Sequence, residues 1–404
     1  MTWDSFLAIA AFALALGALI LALSNRSPGD RDVTDDVGRA GPTANNGAPG
    51  RAGADSQGEE LGAPGAGEGA VASQQGEKIV VVYNPVKLND VDAVKEMVRE
   101  IALTAGIHEV TWSETSVDDP GRGQATTAVK EGATLVIAAG GDGTVRAVID
   151  GLAGTGVPLG IIPAGTGNLL ARNLKLPIGD VWDAVQTAVT GVDTQIDVGF
   201  VQATPLSDHE VENIHALEGG DKEEIHGVPP GPHAFAVVAG IGFDAAMVGD
   251  ADSSLKDKVG WYAYGASAVK NMRGDKMEAT LTAGSAEPQQ VTARSIMVAN
   301  CGKLPANLTL AIDARMDDGW LDLGILDTKG GLVGWADLAR RIGMASVGIR
   351  RDGLPASGTI EFRRARYVDV STAVPQRLQL DGDVLGYATE ITFRVSAGAL
   401  LVRS

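Results

Sequence analysis

Short, fully apolar runs separated by amphipathic stretches dominate the first half of the chain. Ile79-Val80-Val81-Val82-Tyr83 is unbroken and stops at Asn84-Pro85, the pattern of a strand buried on both faces. Val91, Val94, Met97, Val98 and Ile101 then recur at helical spacing, with Asn89 or Asp90 as N-cap and Gly106 as the stop. His108–Trp112 predicts a strand and Gln124–Glu131 a helix, and two further apolar runs follow at Thr134–Ala139 and Leu159–Ile162. This alternation, up to about Val189, predicts a parallel sheet with helices on its faces.

From Val198 the pattern changes. Phe235–Ala239, Met277–Thr282, Ser295–Asn300, Leu321–Leu326, Thr359–Phe362, Tyr367–Val370, Ile391–Val395 and Leu400–Val402 are strand-like, with few helices between them. The expected architecture is an α/β domain with a parallel sheet over 77–199, then a mostly antiparallel, β-rich second domain over 200–404. Pro205–Pro232 reads as an acidic loop, and the spacing of its His209, His215 and His226 matches no metal site.

The N-terminus differs in kind. Phe6–Leu23 is apolar and uncharged, and as a helix it would be about 27 Å long, close to the ~30 Å hydrocarbon core of a bilayer. A transmembrane helix over 5–24 is expected, rather than a cleaved signal, because no basic residue precedes the run. Arg26, Arg31 and Arg39 follow it, which places the rest of the chain on the cytoplasmic side of a single-pass anchor in the cell membrane. Residues 25–76 are rich in Gly, Ala, Pro, Ser and acidic residues, as in a disordered tether. The formal charge of −18 over 404 residues argues against a nucleic-acid partner, and a single cysteine, Cys301, excludes an intramolecular disulfide.

Two glycine turns carry the chemistry. Gly140-Gly141-Asp142-Gly143-Thr144 and Pro163-Ala164-Gly165-Thr166-Gly167-Asn168 each end an apolar run and open a helix-like one. Such strand–glycine–helix turns bring backbone N–H groups close to an anion at a helix start, so a phosphorylated ligand is the natural occupant. One such turn is weak evidence in any α/β protein. The carboxylate of Asp142 inside the first raises the signal, because among phosphate-binding amides it must hold a metal, orient a donor or take a proton.

These two turns, with Asp317-Asp318-Gly319-Trp320-Leu321-Asp322 and Asp381-Gly382-Asp383 in the same order, resemble the catalytic family of diacylglycerol kinases, which includes soluble-type bacterial enzymes and the sphingosine and ceramide kinases. The resemblance runs from about residue 78 to the C-terminus. It implies an active site between an α/β and a β-rich domain, using ATP and Mg²⁺. Gly140, Gly141, Asp142, Gly143, Thr144, Gly165 and Thr166 would contact the nucleotide, with Asn84 and Thr111 beside it. Arg315 and Trp320, through their carbonyls, and Asp318, through its carboxylate, would hold a structural magnesium ion. Asp383 would be the catalytic base, and Asp244 would meet the head group of a lipid substrate. Departures from the family's pattern include Val86-Lys87 after Asn84-Pro85 and Arg146-Ala147 after the first turn. Lys87 and Arg146 are either replacement cations for the phosphates or ordinary solvated surface.

The reading that follows is a membrane-anchored lipid kinase, with diacylglycerol first among acceptors and sphingoid bases second. NAD kinase, which shares Gly-Gly-Asp-Gly, and a catalytically silent, membrane-held nucleotide-binding scaffold are the alternatives. Asp142 rivals Asp383 as the base. Asp383 can serve only if the second half of the chain folds back on the first, and its plain alternative is an Asp-Gly turn.

Overall fold

The structure, a computed structural model, describes residues 77–218, 226–242, 276–302, 314–328 and 358–404. The predicted transmembrane helix, the tether and Asp244 lie outside the described residues. Among the described residues no helix is long and apolar enough to cross a membrane.

The first half builds β1 (Lys78–Tyr83), α1 (Val91–Thr104), β2 (Glu109–Glu114), α2 (Arg122–Lys130), β3 (Leu135–Gly140), α3 (Asp142–Leu152), β4 (Leu159–Pro163), α4 (Leu169–Leu174) and α5 (Val181–Thr190). Strands β2-β1-β3-β4 lie side by side and parallel. The β1 and β3 runs are buried on both faces, as expected of strands covered by helices. Asp90 caps α1 by accepting the Ala93 N–H at 2.9 Å, and Val94, Val98 and Ile101 turn inward from the predicted face. That burial, rather than intrinsic propensity, is the main support for a helix of this length.

The second half adds β5 (Asp193–Ala203), α6 (Asp208–Glu218), β6 (His233–Phe235), β7 (Val238–Gly242), β8 (Met277–Ala283), β9 (Gln289–Ala293), β10 (Ser295–Ala299), β11 (Leu321–Thr328), β12 (Gly358–Ala365), β13 (Tyr367–Leu380) and β14 (Asp383–Arg403). Their mutual pairings are antiparallel. Helix α6 falls within the predicted Pro205–Pro232 loop. Position 199/200, where the composition divides the chain, lies inside β5.

One strand joins the halves. β14 is antiparallel to β13 and β5 and meets β4 in parallel at Val402 and Leu159, so all fourteen strands form one mixed sheet. One core cluster accordingly mixes Val80, Val136 and Ile161 with Val198, Met297 and Val402. The second half has its own core, where Phe235 and Phe393 meet edge to face at 6.5 Å.

Four predicted strands are differently cut. Tyr367–Val370 continues to Leu380 across a register shift between Ser371 and Gln376 that contains Pro375, whose missing N–H breaks the ladder pattern. Ile391–Val395 and Leu400–Val402 are one strand, shifted in register between Ser396 and Leu400. Phe235–Ala239 is instead two strands, β6 and β7, because the backbone between them wraps around the buried Asp381 carboxylate.

Candidate active site

The two glycine turns touch. Ala164 donates its N–H to the Gly140 carbonyl at 2.9 Å, and a Cβ on Gly165 would come within 2.8 Å of the Gly141 Cα. Only glycine lets the backbones approach so closely. Gly140 is demanded from the other side, where a Cβ would meet the Thr144 side chain at 2.7 Å. Thr144 is therefore buried against Gly140, its side chain turned inward rather than toward a ligand. α3 starts at Asp142 with Gly141 as N-cap and no side-chain cap, leaving a helix N-terminus suited to an anion.

Asp142 joins the turns covalently distant in sequence. Its Oδ1 accepts the Leu169 N–H at 2.6 Å and its Oδ2 the Asn168 N–H at 2.9 Å, so it caps α4 from outside that helix. Asn168 itself sits at φ 47 and returns an amide bond to the Gly165 carbonyl at 2.8 Å. Burial pushes the Asp142 carboxyl up to about 6; the Leu169 N–H opposes that, and the charges of Asp381 and Asp383 add to it.

The fourth motif is both a turn and a site. Leu380 pairs with Asp383 across a two-residue connection, Asp381-Gly382, with φ of 50 and 93, the positive pair that a tight hairpin requires. The buried Asp381 side chain accepts the N–H groups of Ala236, Val237 and Val238 at 2.8 to 2.9 Å, and burial raises its proton affinity. This anchors the hairpin tip and delivers Asp383 to the first glycine turn. A Cβ on Gly143 would lie 2.9 Å from Asp383 Oδ2, and the Arg146 guanidinium is 3.7 Å from the same oxygen.

Other expected residues are placed unevenly. Asn84 follows β1, donates its N–H to Ala139 at 3.0 Å and closes its own turn by accepting the Val86 N–H. Thr166 is exposed on the second turn. Thr111 is not brought to the turns: it pairs with Val80, three residues and so roughly 10 Å before the end of β1. At the level of that end stands Thr115, buried, whose N–H binds the Tyr83 carbonyl. Periodicity alone could not separate the two, since both lie along one strand and its exit.

The Asp317-Asp318-Gly319 turn is held from below by Asp197, a residue that carried no sequence signal. Buried in β5, Asp197 accepts the N–H of Gly319 at 2.6 Å and of Gly398 at 2.7 Å. Asp318 accepts the Trp320 N–H at 3.1 Å, and its other oxygen binds the Arg364 guanidinium, which also lies 3.5 Å from Asp322. The Arg315 side chain turns to Asp317 and holds that carboxyl below the usual range. Both Asp318 oxygens thus already hold N–H donors, and the Arg364 charge beside them is one that a divalent cation at Arg315, Asp318 and Trp320 would have to displace. Among the described residues no cluster of three or more His, Cys, Asp or Glu side chains is placed to hold a metal.

Residues 78–201 match the diacylglycerol kinase catalytic domain. A diacylglycerol kinase of Bacillus subtilis strain 168 is 28% identical over 318 residues, covering 76% of this chain and 89% of that protein. One from Mycobacterium tuberculosis is 47% identical over 75 residues, 19% of this chain and 24% of that protein. An uncharacterized protein of Synechocystis is 27% identical over 259 residues, 63% of this chain; the match spans 52%, about half, of that protein's length. The crystal structure of a diacylglycerol kinase from Bacillus anthracis superposes with a TM-score of 0.52 at 18% identity, covering 81% of this chain and 97% of that one, which shows a shared fold. Residues 78–201 thus resemble the catalytic domain of diacylglycerol kinases, and relatives of that name are similar over 76% of the chain.

Proposed function

We propose that this protein is a lipid kinase that moves the γ-phosphate of ATP to a lipid hydroxyl, with diacylglycerol as acceptor and phosphatidic acid as product. The observation that carries the reading is the position of Asp383 against Gly143: a half-exposed carboxylate from the second half of the chain stands over an anion-binding helix start in the first. The named diacylglycerol kinase relatives support the acceptor class.

In this mechanism the backbone amides around Gly141–Thr144 and Gly165–Thr166 hold the triphosphate. Magnesium carried in with the nucleotide would supply neutralising charge. Asp383 takes the proton of the acceptor hydroxyl, and the freed oxygen attacks the γ-phosphorus. A new O–P bond forms as the bond to the β,γ-bridging oxygen breaks, and ADP leaves with that electron pair. Asp142 is assigned to bracing rather than proton transfer, because both its oxygens already hold backbone N–H groups. Asp244 is proposed to meet the acceptor head group. The Phe6–Leu23 run would keep the catalytic body at the cytoplasmic face of the membrane that contains the acceptor.

The test incubates the full-length chain, in mixed detergent–lipid micelles, with γ-labelled ATP and separately with diacylglycerol, sphingosine or NAD. Label in the diacylglycerol fraction is expected. Label in sphingosine alone would replace the acceptor but keep the class, and label in NAD alone, or nowhere, would overturn the reading.

A further inference from the structure

Arg146 stands on α3 one turn after Gly143, on the same face of the helix. Helical side chains lean toward the N-terminus, so Arg146 points back at the first glycine turn rather than away from it. Its position settles what the sequence left open, since an ordinary solvated arginine would be largely exposed. The Arg146 side chain is only 17% exposed, and its Nε is buried with no hydrogen-bond partner among the described residues. Its ion pair among the described residues is loose, an Nη 3.7 Å from Asp383 Oδ2, the same oxygen that lies against Gly143.

A buried guanidinium nitrogen without a partner is costly, on the order of 1–3 kcal/mol for an unsatisfied polar group and more when charged. That cost makes sense where a ligand completes the set. The surroundings identify the ligand's chemistry: an uncapped helix N-terminus, two glycine turns in contact and a planar fork of N–H donors all favour a phosphate. Resting on the kinase reading above, we propose that Arg146 is the cation that grips the terminal phosphate of the bound nucleoside triphosphate, and that Asp383 holds it in place until that phosphate arrives. Phosphate binding then draws Arg146 off Asp383 and leaves that carboxylate free for the acceptor hydroxyl. Loading of the nucleotide and readiness of the base become one event.

The measurement is equilibrium binding of ATP and of ADP to the full-length chain by calorimetry, with Arg146→Met, Arg146→Lys and Asp383→Asn. Wild type binds ATP more tightly than ADP. Arg146→Met weakens ATP roughly ten- to hundredfold, the worth of a charge-assisted contact, and leaves ADP almost unchanged. Arg146→Lys loses part of the preference, because an ammonium is a point charge without the fork. Asp383→Asn keeps or tightens ATP binding, since a competitor for the guanidinium is gone, although it abolishes transfer. An unchanged ATP-to-ADP ratio in a folded Arg146→Met protein overturns the proposal while leaving the kinase reading intact. If Arg146→Met fails to fold, the other two variants decide: an undiminished preference in Arg146→Lys together with weakened ATP binding in Asp383→Asn overturns it. A wild-type chain that binds neither nucleotide removes both readings.

Discussion

Asp142 and Leu169 are joined at 2.6 Å, a carboxylate on the first turn of one helix accepting the first N–H of another. With the Asn168 bond at 2.9 Å, this fixes the second glycine turn to the first, so the two N–H cradles move as a unit. A ligand spanning both meets a surface already ordered, which lowers the entropy lost on binding.

The raised proton affinity of Asp142 makes this brace pH-sensitive. An aspartate ordinarily releases its proton near 3.8, whereas Asp142 in the folded protein holds it to about 6. Between those values the folded state binds a proton that the unfolded state has lost, so stability falls as pH rises through the window and is flat above it. The span corresponds to about 3 kcal/mol at most. Asp142→Asn should remove this slope, read as the difference between wild-type and variant urea midpoints at pH 4.5 and pH 7. Parallel pH dependences in the two proteins would refute the assignment.

Gly143→Ala should separate stability from activity. The added methyl would stand 2.9 Å from Asp383 Oδ2, and the flexible end of an aspartate side chain yields before a helix does. Alanine is the better helix former by about 1 kcal/mol. The variant is therefore expected to melt no lower than wild type while its kcat falls at least tenfold, roughly the cost of a misplaced acid–base group. A large loss of thermal stability would show that the methyl strains the helix instead of moving Asp383.

Asp381 carries the hairpin tip. Asp381→Asn keeps an oxygen for Val237 and Val238 but turns an NH₂ toward the Ala236 N–H, setting donor against donor in a buried place. The expected loss is on the order of 1–3 kcal/mol, measured as a lower urea midpoint at unchanged m-value. Wild-type stability in the variant would mean that the three N–H groups find other partners.

These residues mark the boundary of what the sequence could tell. The parallel half was legible because β1 and β3 are solid apolar runs and α1 keeps helical spacing, and local patterns of that kind survive packing. The glycine turns were legible as strand–turn–helix junctions for the same reason. The continuity of β13 and β14 was not, because Pro375 and the Ser396–Leu400 shift interrupt the alternation that signals a strand. Asp197 and Asp381 were invisible as structural centres: a lone Asp in an apolar stretch and an Asp-Gly turn do not announce which distant N–H groups they accept. Asp383 was reachable only through the motif order, and the fold-back that brings it to Gly143 is a property of the whole sheet.

Arg364 bears on the role of metal. The resemblance places a structural magnesium ion at Arg315, Asp318 and Trp320, but in the fold the Asp318 and Asp322 carboxylates face the Arg364 guanidinium, which also lies 6.0 Å from the centre of the Trp320 ring. A resident guanidinium supplies positive charge to this turn without a divalent ion, and its planar fork suits carboxylates. Chelation with EDTA is accordingly expected to leave the melting temperature of the full-length chain unchanged, although it would stop any reaction that needs nucleotide-bound magnesium. Arg364→Gln removes the charge and leaves two carboxylates facing each other, so this variant should melt lower and should regain part of the loss when Mg²⁺ is added. A wild-type melting temperature that drops with EDTA would show that a divalent ion, and not Arg364, balances Asp318.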